Sequence, residues 1–135
     1  MNSTLKAFLR SDHAGEVGAV YIYRGILRIA RDPDLGNFSK RHLVTEESHL
    51  EKIETVLPKK DRSKLVWLWK IAGFLLGFLP TLFGPKIVFA TIEAVEAFVE
   101  EHYEEQLKYL RAQPNPNQEL IDLLQSCQKS NLIYL

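Results

Sequence analysis

Four residues have the types and spacing of a metal site rather than of a helix surface. Glu46 and His49 stand three residues apart, so they lie on one face of any helix that contains them. Both fall within the apolar stripe of that helix, and Glu16 and Glu96 fall within the stripes of two other predicted helices. Because a buried carboxylate costs free energy unless it is paired or bound to a cation, three such helices together predict a metal site.

The donor types indicate which metal such a site would take. Helical bundles can project Glu residues and Glu-x-x-His pairs inward onto a dinuclear centre, and oxygen and imidazole ligands without thiolate suit iron or manganese. Taken singly, each residue has an ordinary explanation. A Glu-x-x-His pair is common on solvated helix faces, Glu16 could cap a helix, and Glu96 could pair with a Lys or Arg. The coincidence across three helices favours the metal.

Helical periodicity recurs along the chain and strand-like alternation is nowhere sustained, so the predicted fold is all-α. The first helix is expected over Leu5 to Ala30, and it ends at residues 32–34 because proline disfavours helix in the residue before it. The second helix should run from about Leu35 to Leu57. A further helix follows Pro85 and reaches about Leu110, and the last one starts near Asn117.

Residues 65–92 form an apolar and aromatic segment whose uncharged run, 71–85, is shorter than the roughly 20 residues that span a bilayer. Two interpretations stay open. The segment is either a buried helical hairpin between bundle helices or a surface element that dips into lipid. In the second case the predicted membrane-facing residues are Trp67, Trp69, Phe74, Leu75 and Phe78.

Composition narrows the class of protein. The 135 residues carry 17 Lys and Arg against 17 Asp and Glu, which predicts a single domain over 1–135 and gives no general attraction to nucleic acid. The even sum hides an uneven distribution, because six acids crowd residues 93–105. One cysteine, Cys127, cannot form an internal disulfide, and residues 1–10 lack the pattern of a secretory leader, so an intracellular protein is expected.

Four motifs occur in order along nearly the whole chain. They are Asp12-His13-Ala14-Gly15-Glu16-Val17-Gly18-Ala19 with Ile22-Tyr23, then Glu46-Glu47-Ser48-His49-Leu50, then the apolar stretch Trp67 to Gly84, and finally Thr91-Ile92-Glu93-Ala94-Val95-Glu96 with His102-Tyr103 and Gln106-Leu107. Together they resemble the demethoxyubiquinone hydroxylase family, the membrane-associated di-iron monooxygenases of ubiquinone biosynthesis. The chain is identified as a member of that family on this resemblance.

The resemblance implies a ferritin-like four-helix bundle with an additional apolar membrane-facing helical segment. It implies hydroxylation of a polyprenylated benzoquinol with dioxygen, two irons per chain and electrons ultimately from NADH. Glu16, Glu46 and His49 would ligate the first iron, and Glu46 and Glu96 would bridge to the second. His102 and Tyr103 match a pair that lies near the site in the family, where the alternatives are a catalytic or quinone-pocket role and an ordinary place in the core.

The resemblance also implies where the protein acts and with what. The expected partners are a polyprenyl quinone substrate and a membrane surface, together with a second copy of the chain or an accessory protein of quinone biosynthesis. The expected location is peripheral, on the cytoplasmic side of the inner or plasma membrane. An iron store or peroxidase of the ferritin class shares the ligand pattern but leaves the apolar segment unexplained.

The last helix departs from the family pattern. A second Glu-x-x-His is expected there, and its two positions fall at Asn131 and Tyr134, which are weak ligands. Three interpretations stay open: an altered or truncated C-terminal helix, a natural variant that holds one metal or is a non-catalytic quinone-binding paralogue, and ligands taken from elsewhere, such as Glu93, Glu100 or a second copy of the chain.

Overall fold

The computed structural model describes the backbone of residues 1–133 and the side chains of residues 1–128. Within residues 1–133 it contains five α-helices and no strand, which confirms the all-α prediction. A single 3-10 turn, Lys59–Asp61, lies between the second and third helices. The helices are α1 (Ser3–Ile29), α2 (Pro33–Val56), α3 (Val66–Thr81), α4 (Pro85–Arg111) and α5 (Gln118–Ile133).

The helices are distributed over two compact units. The first, Met1–Val88, contains α1 to α3 and the first turn of α4, and in it α1 packs against both α2 and α3. The second, Phe89–Leu135, contains the rest of α4 together with α5. There the Gln128 amide on α5 donates to the Glu104 carboxylate at 2.8 Å and to the Glu100 carbonyl at 3.4 Å, which ties α5 to α4.

Side-chain caps explain why two helices begin earlier than predicted. The Asn2 side chain accepts from the Leu5 N–H at 2.8 Å, so α1 begins at Ser3 rather than Leu5. The Asp32 side chain accepts from the Leu35 N–H at 2.9 Å, and Pro33 occupies the first helical position. Proline is well suited to that position because its missing N–H would have no partner there, so α2 begins at Pro33 rather than Leu35.

Glycines bring α3 into close contact with α1. On α3, Gly73 lies against the Gly18 backbone, and Gly77 lies so close to the Ile22 carbonyl that a Cβ could not be accommodated. On α1, Gly25 is equally close to the Phe74 carbonyl. The small-residue stretch of the first motif therefore admits a neighbouring helix at Gly18, whereas Gly15 has open space around it.

The other residues of α3 are exposed or half-buried. Only its two glycines are fully buried, whereas Phe83, two residues beyond its end, is 77% exposed. The buried-hairpin interpretation is therefore wrong, because an apolar segment sandwiched between other helices would not leave so many large side chains in solvent. Within the described residues no helix has both the length and the apolar character needed to cross a bilayer.

Candidate metal centre

Glu16 on α1 and the Glu46 and His49 pair on α2 meet in the interior of the first unit. His49 Nδ1 lies 3.3 Å from Glu46 Oε2 and 3.7 Å from Glu16 Oε1. One potential ligand atom from each residue lies within 4.8 Å of the other two. All three residues are buried, with exposures of 1 to 3%. Among the described residues this is the only group of three or more such side chains that could hold a metal ion.

The arrangement follows from an antiparallel pairing of α1 and α2. A short connection, residues 30–32, joins the two helices, so residue numbers rise along α2 as they fall along α1. Tyr23 faces His42 and, two helical turns further, Glu16 faces His49. The same antiparallel register therefore brings the Glu16 carboxylate opposite the Glu46 and His49 face of α2.

The chemistry of this donor set fits a cation. Glu16 and Glu46 are carboxylates and His49 is an imidazole, and all three are removed from water. Two buried carboxylates in one cluster repel one another unless protons or a metal ion compensate their charge. Hard oxygen donors with one imidazole and no thiolate suit iron or manganese. Three protein ligands also leave coordination positions for a small molecule, so the cluster can hold a metal that does chemistry.

A second polar pair lies further along the same interface, and its residues were not among the predicted site residues. The Tyr23 hydroxyl lies 3.2 Å from His42 Nδ1, and both residues are buried. The Phe38 ring lies 4.0 Å from the His42 ring, centre to centre. Burial, with a smaller contribution from the Arg41 guanidinium, lowers the pKa of His42 from 6.5 to about 4. His42 is therefore neutral at pH 7.

A third polar pair lies beyond the cluster on the opposite side. His13 Nε2 is 2.9 Å from Glu54 Oε2, and the His13 side chain is 3% exposed whereas that of Glu54 is 39% exposed. His13 was part of a predicted motif, and Glu54 was not among the predicted site residues. The one signal that could have identified the pair is the antiparallel register. From the pair 23 with 42 to the pair 16 with 49, the residue number on α2 rises by as much as the number on α1 falls, and the pair 13 with 54 continues this progression to within two positions.

The predicted residues of the second unit lie on α4. Glu96 is 4% exposed, as its place in an apolar stripe predicted. His102 is half-buried, stacks on Phe98 with ring centroids 6.1 Å apart, and lies 3.1 Å from the Gln106 side-chain nitrogen. Tyr103 is 2% exposed and belongs to the core of this unit. The ligand role of Glu96 and the site roles of His102 and Tyr103 stay predictions.

Two groups of predicted residues remain. The side chain of Asn131 and all of Tyr134 lie outside the residues that the structure describes. Of the predicted membrane-facing residues, Trp67, Trp69 and Leu75 are exposed at 44 to 59%. Phe74 and Phe78 are half-buried instead, and their rings stack 5.7 Å apart on α3. Contact of any of these side chains with lipid stays a prediction.

Comparison with known proteins identifies a family and several relatives that resemble this chain. The profile of the family described as Ubiquinone biosynthesis protein COQ7 matches residues 3–134. A Caenorhabditis elegans protein named NADPH-dependent 3-demethoxyubiquinone 3-hydroxylase, mitochondrial, is 32% identical over 89% of this chain and 66% of its own length. The Rhodospirillum rubrum 3-demethoxyubiquinol 3-hydroxylase is 38% identical over 85% of this chain and 56% of its own length.

A third relative extends the comparison. The Saccharomyces cerevisiae protein named 5-demethoxyubiquinone hydroxylase, mitochondrial, is 37% identical over 82% of this chain and 49% of its own length. The chain thus spans about half to two thirds of the length of these relatives. The name of the nematode relative specifies NADPH, whereas the family resemblance implied NADH as the electron source.

Proposed function

The chain belongs to the Ubiquinone biosynthesis protein COQ7 family, and on that premise we propose that it hydroxylates the ring of a demethoxyubiquinol with dioxygen at an iron centre. The buried cluster of Glu16, Glu46 and His49 is the observation that carries the proposal. The names of the relatives give the substrate class, a demethoxyubiquinone or its quinol. The electron donor is a reduced nicotinamide, NADH or NADPH.

In this proposal Glu16, Glu46 and His49 hold the first iron. Iron supplies the one-electron steps that let dioxygen react with a closed-shell ring. The protein holds the three ligands in place on two packed helices and excludes bulk water from them, since all three are buried. Exclusion of water strengthens every charge interaction in the site and limits the loss of reactive oxygen species.

A second iron is part of the proposal, with Glu46 and Glu96 as bridging ligands. The resemblance of residues 91–96 to the third family motif supports this role for Glu96, and so does its burial, because an acid that is 4% exposed on an amphipathic helix needs a compensating charge. The number of irons bound per chain distinguishes a dinuclear enzyme from a variant that holds one metal and from a metal-free paralogue.

The proposed substrate carries an isoprenoid tail, and the outer face of α3 suits such lipids. An apolar groove of about 480 Å³ runs along this face. From Arg62 to Ile92 the chain carries four bases and no acid, which favours an anionic membrane surface. We therefore propose peripheral binding to a membrane through α3. The groove is lined by Ala72, Leu75, Leu76, Leu79, Pro80, Phe83 and Ile87.

The decisive experiment measures reaction and metal together. The full chain is loaded with ferrous iron, its iron content is measured by elemental analysis, and it is supplied with a short-chain demethoxyubiquinol and dioxygen. We expect the hydroxylated quinol as product and two irons per chain. The variant Glu96→Gln should lose the product and part of the iron, because an amide is a poor bridging ligand.

The matched control is Glu105→Gln, which removes an exposed carboxylate from the same helix. It should keep both the iron and the product. A wild-type chain that binds no iron would overturn catalysis by this chain, and unchanged product from Glu96→Gln would overturn the bridging role while leaving the first site standing.

A further inference from the structure

The buried His13 ring pairs with the half-buried Glu54 carboxylate, one helical turn from the proposed ligand Glu16. His13 precedes Glu16 by three residues on α1, a spacing that puts both side chains on one face of the helix with Cβ atoms roughly 5 to 6 Å apart. His13 Nε2 contacts Glu54 Oε2 at 2.9 Å. The other ring nitrogen, Nδ1, is also buried and has no hydrogen-bond partner in the described part of the chain.

Arg62 pairs with the Glu54 carboxylate. Its terminal nitrogen Nη1 lies 3.5 Å from Glu54 Oε2, and its Nε donates to the Leu57 carbonyl at 3.1 Å. Arg62 therefore stands against the end of α2, with its guanidinium beside the Glu54 carboxylate. An ionised carboxylate only accepts hydrogen bonds, so the His13 nitrogen that faces it, Nε2, carries a proton.

From this geometry we infer that Glu54 is a positioning residue that makes His13 a buried proton carrier for the reaction, with Nδ1 as the atom that binds and releases the proton. Neutral histidine carries one ring proton, and Glu54 holds that proton on Nε2. Nδ1 is then free to accept a second proton, and Glu54 balances the charge of the imidazolium that results. The inference rests on the proposed hydroxylase function for the use of that proton.

The proton balance of the proposed reaction gives the pair its task. Ring hydroxylation converts RH, dioxygen, one reduced nicotinamide and one proton into ROH, the oxidised nicotinamide and water. A buried site must obtain that proton from a group that can hold it out of bulk water. His13 binds the proton at Nδ1 and releases it to the oxygen atom that leaves as water, and the ring returns to its neutral form with the proton on Nε2.

The charged groups near the His13 and Glu54 pair come from α1, α2 and the connection that follows α2. Glu54, on α2, contacts Nε2, and Arg62, in that connection, contacts the Glu54 carboxylate. On α1 itself, Asp12 precedes His13, and Glu16 lies one turn further along. Acids therefore stand near His13 in sequence on α1 and in contact with it on α2.

Nitrogen NMR of the full chain labelled with 15N-histidine tests the inference without any turnover. The chain has four histidines, so the variant His13→Gln assigns the His13 signals by their loss. At neutral pH we expect His13 to show a protonated Nε2 and a bare Nδ1. Glu54→Gln should give a mixture of the two tautomers, because a glutamine side chain can either donate or accept.

Turnover by the iron-loaded chain tests the same inference through rate. In His13→Gln the amide N–H can still reach Glu54, but nothing replaces Nδ1, so we expect the thermal midpoint to be kept and the hydroxylation rate to fall by about 100-fold. Glu54→Gln should lower the rate by about tenfold at unchanged iron content. The control, Glu47→Gln, removes another half-exposed α2 carboxylate, which pairs with Arg24 at 3.7 Å, and should leave the rate within about twofold.

The outcomes separate this inference from the function on which it rests. A wild-type chain that binds iron but gives no product would overturn the hydroxylase proposal, and the NMR result would still decide whether Glu54 sets the tautomer of His13. A proton on Nδ1 in the wild-type chain would overturn the inference, and so would an unchanged tautomer in Glu54→Gln. Full hydroxylation by His13→Gln would overturn the role of Nδ1 in the reaction.

Discussion

The interface between α1 and α2 and the outer face of α3 depart from ordinary protein design in opposite directions. Between α1 and α2, the polar residues Glu16, Glu46 and His49 occupy positions with 1 to 3% exposure. On α3, by contrast, large apolar residues such as Trp67 and Leu79 are about half exposed. The first region buries groups that prefer water, and the second exposes groups that avoid it.

The contrast shows where this chain has given up stability. Burying carboxylates and exposing apolar area both cost free energy in the isolated protein, and each cost falls when the right partner binds. A cation would compensate the α1 and α2 residues, and a lipid surface would cover α3. Neither partner could replace the other, because one region calls for charge and the other for apolar contact.

The largest expected effect comes from replacing a buried acid at the interface between α1 and α2 with an apolar residue. Glu46→Leu should weaken iron binding by at least about 100-fold, because one of three clustered ligands is lost. The thermal midpoint of the metal-free chain should not fall, since a buried acid is replaced by an apolar side chain of similar size. Elemental analysis and calorimetry measure the two effects.

Glu47→Leu is the control for this change, because Glu47 is the exposed neighbour on the same helix. It should leave iron binding intact. A Glu46→Leu chain that keeps its iron, or that unfolds without metal, would show that the buried acid is structural.

The next effect tests what holds α3 in place. Gly77→Ala puts a methyl group against the Ile22 carbonyl and should destabilise the chain by about 2 to 3 kcal/mol, measured by denaturant unfolding. Gly36→Ala on α2 has open space around its new Cβ and should instead stabilise the chain by roughly 0.5 to 1 kcal/mol. Equal effects of the two substitutions would mean that α3 is not held by close helix contact.

A smaller effect tests the exposed apolar region directly. Phe83→Ser should weaken binding to vesicles of phosphatidylcholine and phosphatidylglycerol by about tenfold, because one exposed aromatic side chain contributes roughly 1.5 kcal/mol or more when buried. Val44→Ser, on α2, changes a residue that is 68% exposed but lies outside this region. In a sedimentation assay the vesicle binding of Val44→Ser should equal that of the wild type. If Val44→Ser loses as much binding as Phe83→Ser, the apolar residues around α3 do not differ from other exposed apolar residues.

The smallest expected effect concerns pH and the His42 pair. The pKa of His42 is lowered to about 4 in the folded chain, below the ordinary value of 6.5, so the unfolded chain takes up the proton first as pH falls. The stabilising contribution is complete above pH 6.5 and is lost progressively toward pH 4. We expect the unfolding free energy to decrease by about 1 kcal/mol between pH 6.5 and 5.5 from this group.

The variant His42→Gln has no side chain at this position that takes up a proton in this pH range, and its amide remains a polar partner for Tyr23. As pH falls below 6.5, the unfolding free energy of the wild type should therefore decrease relative to that of this variant. A difference that stays constant from pH 7 to 5 would show that His42 is not held neutral by burial.

The sequence predicted the helices and the burial of three acids well, because both follow from local pattern. An amphipathic stripe identifies a buried position whatever the partner helix is, so Glu16, Glu46 and Glu96 were predicted to lie inside and do so. Helix ends were less well predicted. The start of α2 depends on the Asp32 side chain capping a turn that begins with Pro33, and Pro33 was interpreted only as the end signal of α1.

Pairings between helices were not predictable, because they depend on register. His13 with Glu54 and Tyr23 with His42 are separated by 41 and 19 residues, and no local pattern links them. The surface position of α3 was likewise left open, since an apolar helix with glycines fits either a core or a surface.

The sequence by itself therefore determined the helical class, the family and the polar residues placed inside, because periodicity and motif order are properties of the chain alone. The tertiary structure decided which of those polar residues meet. Antiparallel packing of α1 on α2 brings Glu16 to Glu46 and His49, and glycine contacts seat α3 against α1 with its apolar side chains outward. Distances between helices are set by side-chain packing, and packing depends on the side chains of more than one segment at once.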